Sequence, residues 1–138
     1  MEKERWRSSW LNCINELTSF DLQRKSWSDK SNSNPHWSFV EFMSCYFDDL
    51  KIDNNYELQR KENWISKNEF ELIQPWHELL DKYNSPTNDD FDNEAILNDK
   101  KWQLIVDEGL KAKFELSKIS NEEERLILNE EIDYNKYK

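Results

Sequence analysis

One glycine, Gly109, serves a chain of 138 residues, and three prolines are the only other strong breakers. Loops that cradle phosphate need several glycines, because backbone amides must approach the ligand closely and some residues must take positive φ. The chain therefore holds neither a Walker A loop nor a dinucleotide-binding fingerprint. It also lacks a nucleophile elbow, whose serine is flanked by glycines. Tight two-residue hairpins favour Asn-Gly or Gly-Gly, and neither dipeptide occurs. Few breakers and no hairpin signal favour helices over a sheet.

Hydrophobic residues make up only 36% of the chain and charged residues 35%, a balance close to that of disordered proteins. Seven Trp, seven Phe and five Tyr decide the matter the other way. Each buried aromatic removes about 150–250 Å² from water, enough in sum to support a core with few smaller apolar residues. The length suits one such core, so residues 1–138 read as a single domain.

Apolar residues recur at helical spacing along most of the chain. Trp6, Trp10, Cys13, Ile14 and Leu17 form one stripe between Glu2 and Leu17. Residues 21–34 are polar, with Trp27 isolated among Ser, Lys and Asp, and Asn34-Pro35 reads as a helix start. The segment from Trp37 to Leu50 is apolar around most of its circumference and is expected at the centre of the fold. Lys51 to Asn63 is polar and reads as loop or short helix. Ser66 and Glu69 make a capping box before Phe70, Ile73, His77, Leu80 and Tyr83, with Pro75 predicting a kink or a break. After the loop at 84–90, Asp92 is expected to cap a helix carrying Ile96, Trp102, Ile105 and Phe114. Gly109 within it marks a bend or a close helix contact. Ser120 and Glu123 repeat the capping-box spacing before a sparsely apolar last helix. The expected fold is all-α, a compact bundle-like domain of four to six helices. A small sheet at 71–73 or 103–106 is the alternative.

Catalytic and metal chemistry find little here. Cys13 and Cys45 lie 32 residues apart with no CxxC and no histidine at ligand spacing, so no metal and no cofactor are expected. Cys45 with His36 or His77 is the one nucleophile–base pairing, the basis of a small-hydrolase reading. The aromatic helix around Cys45 argues instead for a buried thiol. The Asp48, Asp49 and Asp53 group and the Asp89, Asp90 and Asp92 group supply paired carboxylates, which also serve as caps and solvated surface. The run from Asp89 to Asp92 does not match the spacing of a calcium loop, which also needs a glycine. Glu122-Glu123-Glu124 with Glu130, Glu131 and Asp133 reads either as a solvated terminal helix whose acidic first turn complements its dipole or as a surface facing a cationic partner.

A formal charge of −10 argues against nucleic-acid partners and against anionic membranes. No apolar run approaches the roughly 18 residues of a membrane span, and residues 1–6 lack the apolar centre of a signal peptide. A cytoplasmic location is expected, as a monomer or a homodimer.

Small, acidic, aromatic-rich and without a catalytic motif, the chain resembles the immunity proteins of bacterial toxin–immunity systems, including those paired with contact-dependent or other polymorphic toxins. The resemblance is one of overall character across the whole chain. It implies a protein-binding inhibitor that neutralises a basic, nuclease-like toxin domain by covering its active site or a nearby surface, and it implies no enzymatic activity. On this reading Asp48, Asp49, Asp53, Asp89, Asp90 and Asp92 make the charged contacts, and Trp27, Tyr56 and Trp64 are the anchors. The alternative is a nucleic-acid mimic or phage-type inhibitor of a defence nuclease, of the anti-CRISPR kind. That alternative requires carboxylates in rows at phosphate-like spacing, whereas an immunity protein requires one mixed aromatic and acidic patch.

Overall fold

The computed structural model describes residues 2–137, and the described residues are helical with no strand. Eight α-helices follow one another: α1 (Lys3–Leu17), α2 (Phe20–Trp27), α3 (Phe39–Ser44), α4 (Glu57–Lys61), α5 (Lys67–Lys82), α6 (Asn93–Leu97), α7 (Lys100–Ile119) and α8 (Glu122–Leu128). A π-helix, Cys45–Asp49, continues α3, and a 3-10 turn, Tyr134–Tyr137, follows α8. The two segments read as alternative strands lie inside α5 and α7.

The count exceeds the expected four to six because short polar side chains cap helices where sequence spacing allowed continuation. Ser19 accepts from the Leu22 amide and opens α2, which runs into the polar stretch that begins at residue 21. Asn34 does not cap α3. Its side chain accepts from the His36 amide in a local turn, and Ser38 becomes the cap by accepting from Glu41 N. Asp92 caps as expected, but only the five residues of α6, because Asp99 stops the run and caps α7. Asn121, rather than Ser120, caps α8. Each such bond satisfies one of the amides that a helix start leaves without a partner.

Pro75 neither ends nor divides α5, which runs from Lys67 to Lys82 behind the expected Ser66–Glu69 capping box. α5 and α7 are the two longest helices and lie against one another, with α1 packed across α7 and α8. Gly109 sits at the α5–α7 contact under Trp76, so of its two expected roles it serves the close approach. The core between the helices is aromatic: Trp6, Trp10, Trp76, Trp102, Tyr46, Tyr56 and Phe42 are all fully buried.

Candidate partner-binding face

Two backbone irregularities meet in one stretch of chain. The π-helix Cys45–Asp49 widens the end of α3, a distortion that recurs at functional sites. Directly after it Lys51 (φ 54°), Asn54 (φ 42°), Asn55 (φ 56°) and Tyr56 (φ 62°) all take the left-handed region. Asn enters that region at little cost, whereas Lys and Tyr each oppose it by roughly 1–2 kcal/mol. Such a conformation persists only where its surroundings determine it, and it clusters at functional surfaces.

The surroundings here are hydrogen bonds from beneath. Trp6 Nε1 donates to the Leu50 carbonyl at 2.8 Å. Gln59 Nε2 donates to the Leu50 and Lys51 carbonyls, both at 3.1 Å. Trp10 Nε1 donates to the Tyr56 hydroxyl at 3.0 Å, the Tyr56 and Tyr46 hydroxyls share a hydrogen bond, and the Tyr46 hydroxyl bonds Nδ1 of His77 at 2.8 Å. Burial pushes both tyrosine hydroxyls up and pushes His77 down. All three groups are therefore neutral, as a dry polar network requires. The turn is held rigid from inside.

Its outer side carries the first group of carboxylates. Asp48, Asp49 and Asp53 are exposed, as are Glu57 and Glu62 on and beside α4. Lys51, Arg60 and Lys61 intersperse them. Half-buried Trp64 closes the segment, its ring 5.8 Å from that of Trp6 and its carbonyl held by Arg7 Nη1 at 2.7 Å. Trp6 thus ties the acidic turn and Trp64 to one neighbourhood.

The remaining candidates fall elsewhere. Trp27 is 6% exposed and packs edge-on to Phe42 and Phe39 and beside Trp102. Arg24, Lys25 and Ser28 are exposed on α2 and at its end, while the ring, like its neighbour Ser26, is buried. Tyr56 is fully buried, consumed by the network just described. Neither ring presents an anchor to a partner. Asp92 is half-buried and accepts from the Ala95 amide as a cap. Asp89 accepts from the Phe91 amide, and it and Asp90 are exposed on the loop before α6.

Two constellations escaped the sequence reading. Arg7 joins α1, α5 and α8: Nη2 meets Glu69 at 2.6 Å and Nε meets Glu124 at 2.8 Å. Burial acts to raise the Glu69 carboxyl, but the hydrogen bonds from Arg7 and Ser66 outweigh it and hold the group below its ordinary value. In the second, Glu16 Oε2 lies 2.7 Å from His36 Nε2, and His36 Nδ1 lies 4.0 Å from Cys45 Sγ. Sequence spacing paired Cys45 equally with His36 or His77, and the fold selects His36.

The hydrogen bond to Cys45, and next the one to Glu16, lift His36 to about 10 against the opposing effect of burial. At neutral pH the ring is an imidazolium held between the Glu16 carboxylate and the Cys45 sulfur. Among the described residues no cluster of His, Cys, Asp or Glu has the arrangement of a metal site, and no helix is long and apolar enough to cross a membrane. No family model, no curated protein and no solved structure matches this chain.

Proposed function

We propose that this chain is a non-enzymatic inhibitor that binds a basic protein domain and covers its working surface, in the manner of an immunity protein with its toxin. The observation that supports the reading is the rigid turn at 48–56. It exposes Asp48, Asp49 and Asp53, and Trp6 beneath it reaches the Leu50 carbonyl while its ring packs near half-buried Trp64. A turn already locked by Trp6, Trp10 and Gln59 loses little freedom on binding, so more of the contact energy reaches affinity. Exposed carboxylates steer a cationic partner and meet the Lys and Arg side chains that would otherwise hold phosphates. Asp89 and Asp90 are exposed on the separate loop before α6, outside this turn.

The experiment is affinity capture from the native host with the folded chain and with D48N/D49N/D53N as baits, across stepped salt. The reading expects one basic protein on the unaltered bait, released as salt rises and held at least tenfold more weakly by the triple variant. It also expects the captured protein's activity to fall on adding back the unaltered chain. A captured protein indifferent to the triple variant, or one whose activity does not change, overturns it.

A further inference from the structure

The two cysteines occupy opposite environments. Cys13 is 6% exposed on the core side of α1, where burial first and then Glu16 push its thiol well up. Cys45 is partly exposed at the first position of the π-helix, with the His36 ring 4.0 Å from its sulfur. His36 is itself clamped by Glu16, whose carboxylate is almost fully buried, so a fixed cationic ring stands beside one thiol. Reactive cysteines are found in such partly exposed sites next to a cation, whereas apolar burial makes a thiol inert.

The charges that surround this pair are negative. Glu16 faces it from α1, and Asp48 and Asp49 belong to the π-helix of Cys45 itself. A cavity of about 300 Å³ on the His36 side is lined by Glu16, Glu130, Glu131 and Asp133. These carboxylates set a negative field around the pair of Cys45 and His36.

We propose that Cys45 is a modification site for small cationic disulfides, with His36 as its positioning residue. The Cys45 sulfur, as thiolate, attacks one sulfur of R–S–S–R. The S–S bond of the reagent breaks, a mixed disulfide Cys45–S–S–R forms, and R–S⁻ leaves and takes up the proton that Cys45 lost. The disulfide is the oxidant, half of it leaving as the reduced thiol. The surrounding carboxylates favour a reagent bearing ammonium groups over a neutral one and disfavour an anionic one, an ordering that salt erases. This inference stands independently of the partner reading.

The test reacts the folded chain with cystamine and with bis(2-hydroxyethyl) disulfide, locating the adduct by peptide mass spectrometry. Each rate is divided by that for the same residue in the urea-unfolded chain, which removes the intrinsic difference between reagents. The expected result is modification of Cys45 with Cys13 untouched, and a cystamine preference of about tenfold at low salt that collapses at high salt. His36→Gln, if its melting curve shows it folded, slows both reagents at Cys45 several-fold in the folded chain and neither in urea. An unmodified Cys45, equal rates at Cys13, or no salt-sensitive preference for cystamine overturns the proposal, and the wild-type measurements suffice to show any of these.

Discussion

Gly109 and Trp76 meet so closely that a Cβ on Gly109 would lie 2.7 Å from the indole Nε1, with Thr18 Cγ2 at 2.6 Å on the other side. Both distances are below what carbon tolerates, and neither neighbour can retreat, because Trp76 and Thr18 are fully buried. The one glycine of the chain is thus spent on bringing α5 to α7 and α1, in an ordinary helical conformation.

Gly109→Ala therefore sets helix propensity against packing. Alanine gains about 1 kcal/mol inside a helix, while forcing a methyl into a filled core costs typically 1–3 kcal/mol. With two contacts this short the packing term wins, and a net loss of about 1–2 kcal/mol is expected in urea unfolding. Trp76→Phe removes the nearer indole atoms, so the double variant should lose less than the two single losses combined. A stabilised Gly109→Ala would show that the contact relaxes freely.

Arg7 is the next point where one side chain determines the assembly. Its guanidinium holds two carboxylates and the Trp64 carbonyl across three helices. Arg7→Met keeps the stem but leaves Glu69 and Glu124 facing one another without a cation. Removing one partner of a buried ion pair costs about 3 kcal/mol, and a loss of that order is expected in chemical denaturation. Because Glu69 titrates lower folded than unfolded, its contribution is present above the unfolded value and disappears as pH falls through the folded one. The acid limb of the stability curve should accordingly flatten in Arg7→Met.

These particulars show which parts of the molecule were readable from sequence. α1 and α5 were, since a stripe from Trp6 to Leu17 and a Ser66–Glu69 box are local patterns written within one turn or two. The Arg7 clamp was not, because its partners lie 62 and 117 residues away and no local rule reaches them. Trp27 misled for a related reason: its neighbours in sequence are polar, but its neighbours in space are Phe39, Phe42 and Trp102. The acidic turn was singled out by its carboxylates alone. Its π-helix left no trace, and with no glycine there the paired Asn54 and Asn55 were the one local marker of positive φ, to which Lys51 and Tyr56 add none.

The His36 clamp carries a pH dependence of opposite sign to that of Glu69. Its ring rises from an ordinary 6.5 to about 10 on folding, through Cys45 first and Glu16 second. A raised value stabilises the folded chain fully below the unfolded value, and that stabilisation is lost as pH climbs through the folded one. Unfolding free energy should thus decline between about pH 7 and 10 in the wild type. His36→Gln should remove that part of the slope. A nuclear resonance titration should place the His36 ring near 10 and His77 below its ordinary value. A His36 midpoint near 6.5 would contradict the clamp.

Asn55 offers the cleanest test of how a chain nearly free of glycine builds its turns. It stands exposed at φ 56° between Asn54 and Tyr56, with Tyr56 held by Trp10 and Tyr46 and the Lys51 carbonyl held by Gln59. Alanine there meets the steric opposition of the left-handed region, about 1 kcal/mol or somewhat more. Glycine meets none, but adds freedom to the unfolded chain. Asn55→Ala is therefore expected to destabilise by about 1 kcal/mol, with Asn55→Gly within about 0.5 kcal/mol of wild type. If the turn is the rigid platform described, Asn55→Ala should also weaken capture of the basic partner. Asn88, left-handed at φ 58° on the separate loop before α6, supplies the control: Asn88→Ala should lose comparable stability and leave capture unchanged. Equal losses of capture from both sites would mean that stability, and not the shape of the 48–56 turn, governs binding.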